Sequence, residues 1–257
     1  MQIESVRGVH EVVIYRIENG SEVEALRETK NGEHTLNYAP EIDFTEATSK
    51  LKVVVSDGRE GKEAIGYVKA YVNMDVATLN VGSQPLANNA HVKYPDAFGM
   101  VSLNDLKTYS VDYAIANEVN AKNVDFKFYC FGASGSPRLY SMDNTGKDGE
   151  FSGSTGKLSA IKVKNLTRFA ILSNFDYENA TVASISSEIL SSSIAQSLLD
   201  PIAVGNVIAF RTGGSSAAGG GRIGVMKVIN ITEPKELVSN NATARVMTVE
   251  IKFPKKK

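Results

Sequence analysis

The chain of 257 residues has no tryptophan, three histidines and one cysteine, Cys130. A single cysteine excludes an intrachain disulfide and any cysteine-rich metal centre. Cys130 lies in "VDFKFYCF", an apolar strand-like run, and is read as a buried, inert thiol. Without tryptophan there is no indole platform for stacking sugars. His10, His34 and His91 show no metal-ligand spacing such as H-E-x-x-H, so they read as surface or packing residues. Charge of one sign is also scarce: the formal net charge is -1, with basic and acidic residues interspersed. No clustered basic face exists to displace counterions, so no nucleic-acid partner is expected. The terminal Lys255-Lys256-Lys257 is too short to change this and reads as a solvated tail. No stretch approaches the roughly 18 consecutive apolar residues of a membrane span. The start, "MQIESVRGVHEV", lacks the basic and then apolar regions of a signal peptide, so the chain is read as a mature or trimmed form.

What is present is an ordinary globular composition, 42% apolar and 22% charged, patterned for strands. "EVVIYRI" places Val13, Tyr15 and Ile17 on one face and Val12 and Ile14 on the other, then breaks at Asn19-Gly20, a hairpin signal. A strand through Leu51, Val53 and Val55 meets Asp57-Gly58, and a return strand runs through Ile65, Tyr67 and Val68. Short strands with glycine-bearing turns indicate an antiparallel, immunoglobulin-like β-sandwich over residues 1–75. An Asn, Pro and Gly-rich stretch after Met74 reads as a linker into a second unit, residues 76–257. There Val124, Phe126 and Phe128 alternate with Asp125, Lys127 and Tyr129, and "SAIKVKNLTRFAIL" supplies further strand. Ile185, Ile189, Ile194 and Leu198 suggest one short helix over 183–199, stopped at Asp200-Pro201. The expected fold is all-β: the small sandwich, then a larger β-sandwich with long loops and one short helix.

Chemical motifs fail in context. Gly219-x-Gly221-x-x-Gly224 has dinucleotide spacing, but "RIGVMKVINI" after it is β-rich, where a helix must receive the pyrophosphate. The glycines are therefore read as a mobile loop, residues 213–221, joining antiparallel strands near 206–211 and 223–231. "GASGS" runs into Pro137 and a loop, which is no nucleophile elbow. "DNTGKDGE" lacks the sixth-position glycine of a calcium loop and puts Lys147 where an oxygen ligand belongs; it reads as a solvated loop. No cofactor, metal site or catalytic residue is indicated. Three loop aromatics, Tyr94, Phe98 and Tyr140, are weak ligand-binding candidates as a tyrosine-based platform.

The order of segments carries a resemblance. "ATLNVGSQPLANN", "VSLNDLKTYSVDYAIANEVNAKNVDFKFYCF", "VKNLTRFAIL", "FDYENAT", "VGNVIAFRTGG" and "GRIGVMKVINI" resemble a domain of uncharacterised Bacteroidetes cell-surface lipoproteins. Upstream, "GVHEVVIYRI" and "VVVSDGREGK" resemble strands of the immunoglobulin-like module that often precedes it. This sequence departs in the Gly-Ser-Ala insertion at 213–221, in having no Trp before "KNLTRF" and in lacking a lipid-carrying N-terminal cysteine. The resemblance implies export to the cell surface, outer membrane or periplasm, with any lipid anchor outside the given chain, and no known cofactor. The expected role is non-enzymatic: binding or displaying a ligand, by glycan capture or by adhesion to another envelope protein. The alternative is an extracellular sugar-acting hydrolase, which needs two carboxylates in one cleft. An exposed aromatic cluster would favour the glycan; an unpaired apolar edge would favour the protein partner.

Overall fold

The computed structural model describes residues 1–237 and 241–256. The chain is all-β, with fourteen strands in three sheets among the described residues. It divides into two compact units, Met1–Met74 with Glu178–Ser187, and Asp75–Tyr177 with Glu188–Lys257.

The first unit holds β1 (Gln2–Glu18), β2 (Ser21–Asn37), β3 (Thr48–Ser56) and β4 (Glu63–Lys69). Asn19 and Gly20 both take positive φ, 50° and 83°, and close the β1–β2 hairpin as their sequence requires. The strands pair antiparallel in the order β2-β1-β3-β4. Val9, Val12 and Ile14 pack with Val53 and Tyr38 on one face. This is a correction: an immunoglobulin-like sandwich needs two facing sheets, and the described strands form one. The cause is length. β1 and β2 run 17 residues each, taking up chain that a sandwich distributes over several short strands. A second turn signal, Asn31-Gly32, is absorbed inside β2 beside the register shift between Val9 and Glu11.

The second unit packs two five-stranded sheets. One has the order β10-β12-β13-β14-β5, from β5 (Met74–Gly82), β10 (Arg168–Leu172), β12 (Val207–Arg211), β13 (Ile223–Ile231) and β14 (Val246–Pro254). The other is β11-β9-β8-β6-β7, from β6 (Met100–Ser102), β7 (Lys107–Tyr109), β8 (Phe126–Phe131), β9 (Ser136–Ser141) and β11 (Leu198–Leu199). Phe126, Phe128 and Leu139 of the second sheet meet Phe169, Phe210 and Ile251 of the first in the main core. Phe126 and Phe169 stand edge to face, centroids 5.7 Å apart. The other face of β8 is buried as well. Tyr129 joins Tyr140, Met142 and Phe151 in a second core with residues of the short helices α1 (Val111–Ala116) and α2 (Glu118–Lys122).

Three further expectations change. The stretch after Met74 contains β5, whose Leu79 and Val81 lie in the main core, so it is not a linker. The helix expected over 183–199 is α3 (Val182–Glu188), and all but its last residue belongs with the first unit. Leu198 and Leu199 instead form β11 against Tyr140 and Leu139, because pairing with β9 buries them where a helix end would not. Two helices were missed, α1 and α2. Ser110 and Asn117 cap them, accepting hydrogen bonds from the amides of Tyr113 and Asn120.

The glycine loop joins β12 to β13, which pair antiparallel from Val207↔Lys227 to Arg211↔Ile223. It is not loosely held. Ala218 is buried in the main core, the Ala217 amide donates to Lys122 O at 2.9 Å, and Ser215 Oγ donates to Asn165 Oδ1 at 2.6 Å. Gly224, the third glycine of the false fingerprint, lies under two rings: a Cβ there would meet Phe210 Cζ at 2.4 Å and Phe253 Cδ2 at 2.7 Å. Its missing side chain serves core packing. Replacing residues 215–220 by an Asn-Gly turn removes those hydrogen bonds and the Ala218 burial. We expect a loss of about 2–4 kcal/mol in urea denaturation, and a gain in stability would contradict the structural role.

Candidate functional site

The acidic loop that reads as solvated is an internal fixing. β8 carries Lys127 to a position with no solvent exposure. Its Nζ donates to Asp148 Oδ1 at 2.7 Å, Asn144 O at 3.0 Å and Ser141 O at 3.4 Å. Burial pushes the Lys127 ammonium down, while Asp148 opposes that shift. Asp148 is itself buried, and the Lys164 ammonium lies 3.6 Å from its Oδ2. Asp143 accepts from Arg168 through both oxygens, at 2.9 and 2.8 Å. Partial burial would raise the Asp143 carboxyl, but Arg168 and Ser141 hold it below its ordinary value. Glu150 accepts from the Tyr129 hydroxyl and from Lys147, and the Tyr129 bond lowers its pKa. The three carboxylates a hydrolase reading would enlist are thus each engaged by a named donor.

Asp125 and Asn165 join this region to the glycine loop. Asp125 is fully buried; the Leu103 amide donates to its Oδ2 at 2.8 Å and Asn165 Nδ2 lies 3.4 Å from Oδ1. Asn165 Nδ2 also donates to Lys122 O and Val124 O at 2.8 Å each. Desolvation pushes the Asp125 carboxyl up to about 6, against hydrogen bonds from Ser216 and the Leu103 amide that lower it. Cys130 is buried as expected, and burial pushes its thiol up to about 12.

The three aromatic candidates go to separate places. Tyr140 is on β9 rather than a loop; it is buried, with its ring edge-on to Tyr129 at 5.6 Å. Tyr94 packs, partly buried, on the small cluster of Leu86, Ala97 and Val246. Phe98 lines an open groove of about 500 Å³ with Asn80, Asp96, Lys107 and Thr108. No ring contact joins the three among the described residues. They do not make one platform.

The surface that stands out was not singled out from the sequence. All seven residues of β4, an edge strand, are exposed. Ile65 is 53% exposed, Tyr67 60% and Val68 53%. Beside β4, an apolar hollow of about 290 Å³ is lined by Phe44, Leu51, Val68 and Tyr71 among others. The β3–β4 register sets Leu51 opposite Val68 and Lys52 opposite Tyr67, so Ile65 and Tyr67 share the face opposite Val68. Lys50 stands over the Tyr67 ring, 5.2 Å from its centroid. β4 has no proline to blunt the edge, and its charges stand only at its ends, Glu63 and Lys69. A cue was present in the sequence: "EAIGYVK" puts apolar residues on both faces of a strand whose neighbour already has its own core.

No family model matches the chain, and no curated protein matches it. A solved structure, a DUF4466 family protein from Parabacteroides merdae, of the Bacteroidetes, is similar over 96% of this chain and 87% of that one. The two are 13% identical, with a TM-score of 0.45. No helix among the described residues is long and apolar enough to cross a membrane.

Asp125 gives a pH test. Its folded pKa is raised, so its stabilising contribution is full below the unfolded value near 4 and is lost as pH rises through about 6. Asp125→Asn removes that loss. Relative to wild type, the variant should gain about 2–3 kcal/mol of unfolding free energy between pH 4 and pH 7. Parallel curves for the two proteins over that range would show that Asp125 ionises freely.

Proposed function

We propose that this is a non-enzymatic protein of the cell envelope that engages a protein partner by strand addition to β4. The observation that carries this reading is a seven-residue edge strand, exposed throughout, with Ile65, Tyr67 and Val68 each more than half open to solvent. An unpaired strand offers a row of backbone donors and acceptors, and alternate side chains then select the partner. The adjoining hollow at Phe44 and Leu51 is a place for an apolar side chain of the added strand. Export and surface location come from the segment resemblance to Bacteroidetes surface lipoproteins. Adhesion is favoured over glycan capture because the aromatic candidates are dispersed and Tyr140 is buried.

Panning a phage-displayed library of random heptapeptides against the full chain tests this. Peptides with alternating apolar residues should be enriched on wild type and lost on the Ile65→Glu, Tyr67→Glu double variant. Those positions are exposed and neighbour Lys50 and Lys52, so the variant should stay within about 0.5 kcal/mol of wild-type stability. Equal recovery on both proteins, or no enrichment, would contradict docking at β4. Binding to a polysaccharide array that survives the double variant would favour the glycan reading instead.

A further inference from the structure

The sequence of β4, "EAIGYVK", is its own antiparallel complement about Gly66. Laid against a second copy with Gly66 facing Gly66, Glu63 stands opposite the other copy's Lys69, and Ile65 opposite its Tyr67. The two-fold axis repeats both pairs, and Ala64 faces Val68 on the other side of the ribbon. All directly opposed pairs on the Ile65 face are then of a favourable kind: opposite charges at both ends and aromatic with β-branched residues between them. At the centre two glycines meet without a side chain, which lets the backbones pair unobstructed. A parallel arrangement would bring Glu63 beside Glu63 and Lys69 beside Lys69. Moving the antiparallel centre by two residues would leave a charge opposite Tyr67 or Ile65.

We infer that a second copy of this chain is the partner of β4, docked edge to edge about a two-fold axis at Gly66, so that two four-stranded sheets become one of eight. The inference rests on the reading of β4 as the docking edge and names its occupant. The interface is isologous, as most closed dimers are, because one self-complementary strand supplies both sides. The Glu63 and Lys69 pairs set the register and exclude the parallel alternative. Lys69 also holds Glu178 of its own chain at 2.9 Å, and the second copy's Glu63 brings another carboxylate to that ammonium. The hollow at Phe44, Leu51 and Val68 continues the apolar area on the Ala64 side of the joined ribbon.

Sedimentation velocity on the full chain, from about 1 μM to about 1 mM, reads the assembly directly. Wild type should pass from monomer to dimer within that range. Glu63→Lys alone sets lysine against lysine across the axis, and Lys69→Glu alone sets glutamate against glutamate. Each should weaken dimerisation at least about tenfold. An equimolar mixture of the two variants restores opposite charges at every end and should recover a dimer, now a heterodimer, to near wild-type strength. A purely structural defect in either variant would not be cured by mixing. Wild type that stays monomeric to about 1 mM overturns the inference, as does a dimer indifferent to both single substitutions. A monomer that still enriches displayed heptapeptides through Ile65 and Tyr67 leaves strand addition standing and removes only the second copy as the occupant.

Discussion

The second unit depends on one constraint: β8 is buried on both faces, yet its sequence alternates apolar with polar residues. Phe126, Phe128 and Cys130 belong in the core between the sheets, and the pleat then forces Lys127 and Tyr129 to the opposite side. That side is covered by α1, α2 and the segment from Phe151 to Ile161, so Lys127 cannot reach water. An unpaired ammonium there would cost several kcal/mol, and the chain answers by bringing a carboxylate and two carbonyls to it. The path of residues 141–148 follows from this requirement. Arg168 with Asp143, and Lys147 with Glu150, then secure the same loop from outside.

The same logic extends to the glycine loop. Asn165 accepts a hydrogen bond from Ser215 while donating to carbonyls at the end of α2 and the approach to β8. Asp125 accepts an amide beyond β6 and so fixes the other end of that region. Polar residues that would attract attention as chemistry serve, in this unit, as hydrogen-bond partners for the backbone of buried irregular segments. An outward surface that core packing does not explain is in the first unit, at β4. There, burial gives no reason for isoleucine, tyrosine and valine.

Much of the strand layout was legible. Asn19-Gly20 located the first hairpin, Asp57-Gly58 the turn before β4, and the β-rich "RIGVMKVINI" showed that the glycine fingerprint was false. Misreadings arose where a local signal met a non-local one. The alternation around Lys127 was legible, but nothing local reveals that α1 and α2 cover the face that carries it. The loop glycines looked mobile because their anchors, Lys122 and Asn165, lie more than forty residues away in sequence. Tyr140 looked loop-borne because the Gly- and Ser-rich stretch 132–135 reads as the start of a loop, whereas it is the turn of a hairpin whose return strand, β9, pairs with β8 from Phe131↔Ser136 to Phe126↔Ser141. The single sheet of the first unit was missed because strand length is invisible when turn signals such as Asn31-Gly32 are absorbed as irregularities. The exposed edge at β4 was present as a pattern, but exposure itself is a property of the folded chain.

The claim that buried Lys127 organises the second unit is tested most directly by equilibrium unfolding of Lys127→Met beside the double variant Lys127→Met, Asp148→Asn. Removing the ammonium alone leaves the Asp148 charge buried, and the single variant should lose about 3–5 kcal/mol. Neutralising Asp148 as well should recover at least about half of that loss. A single variant within about 0.5 kcal/mol of wild type, the response of an exposed pair, would contradict the account.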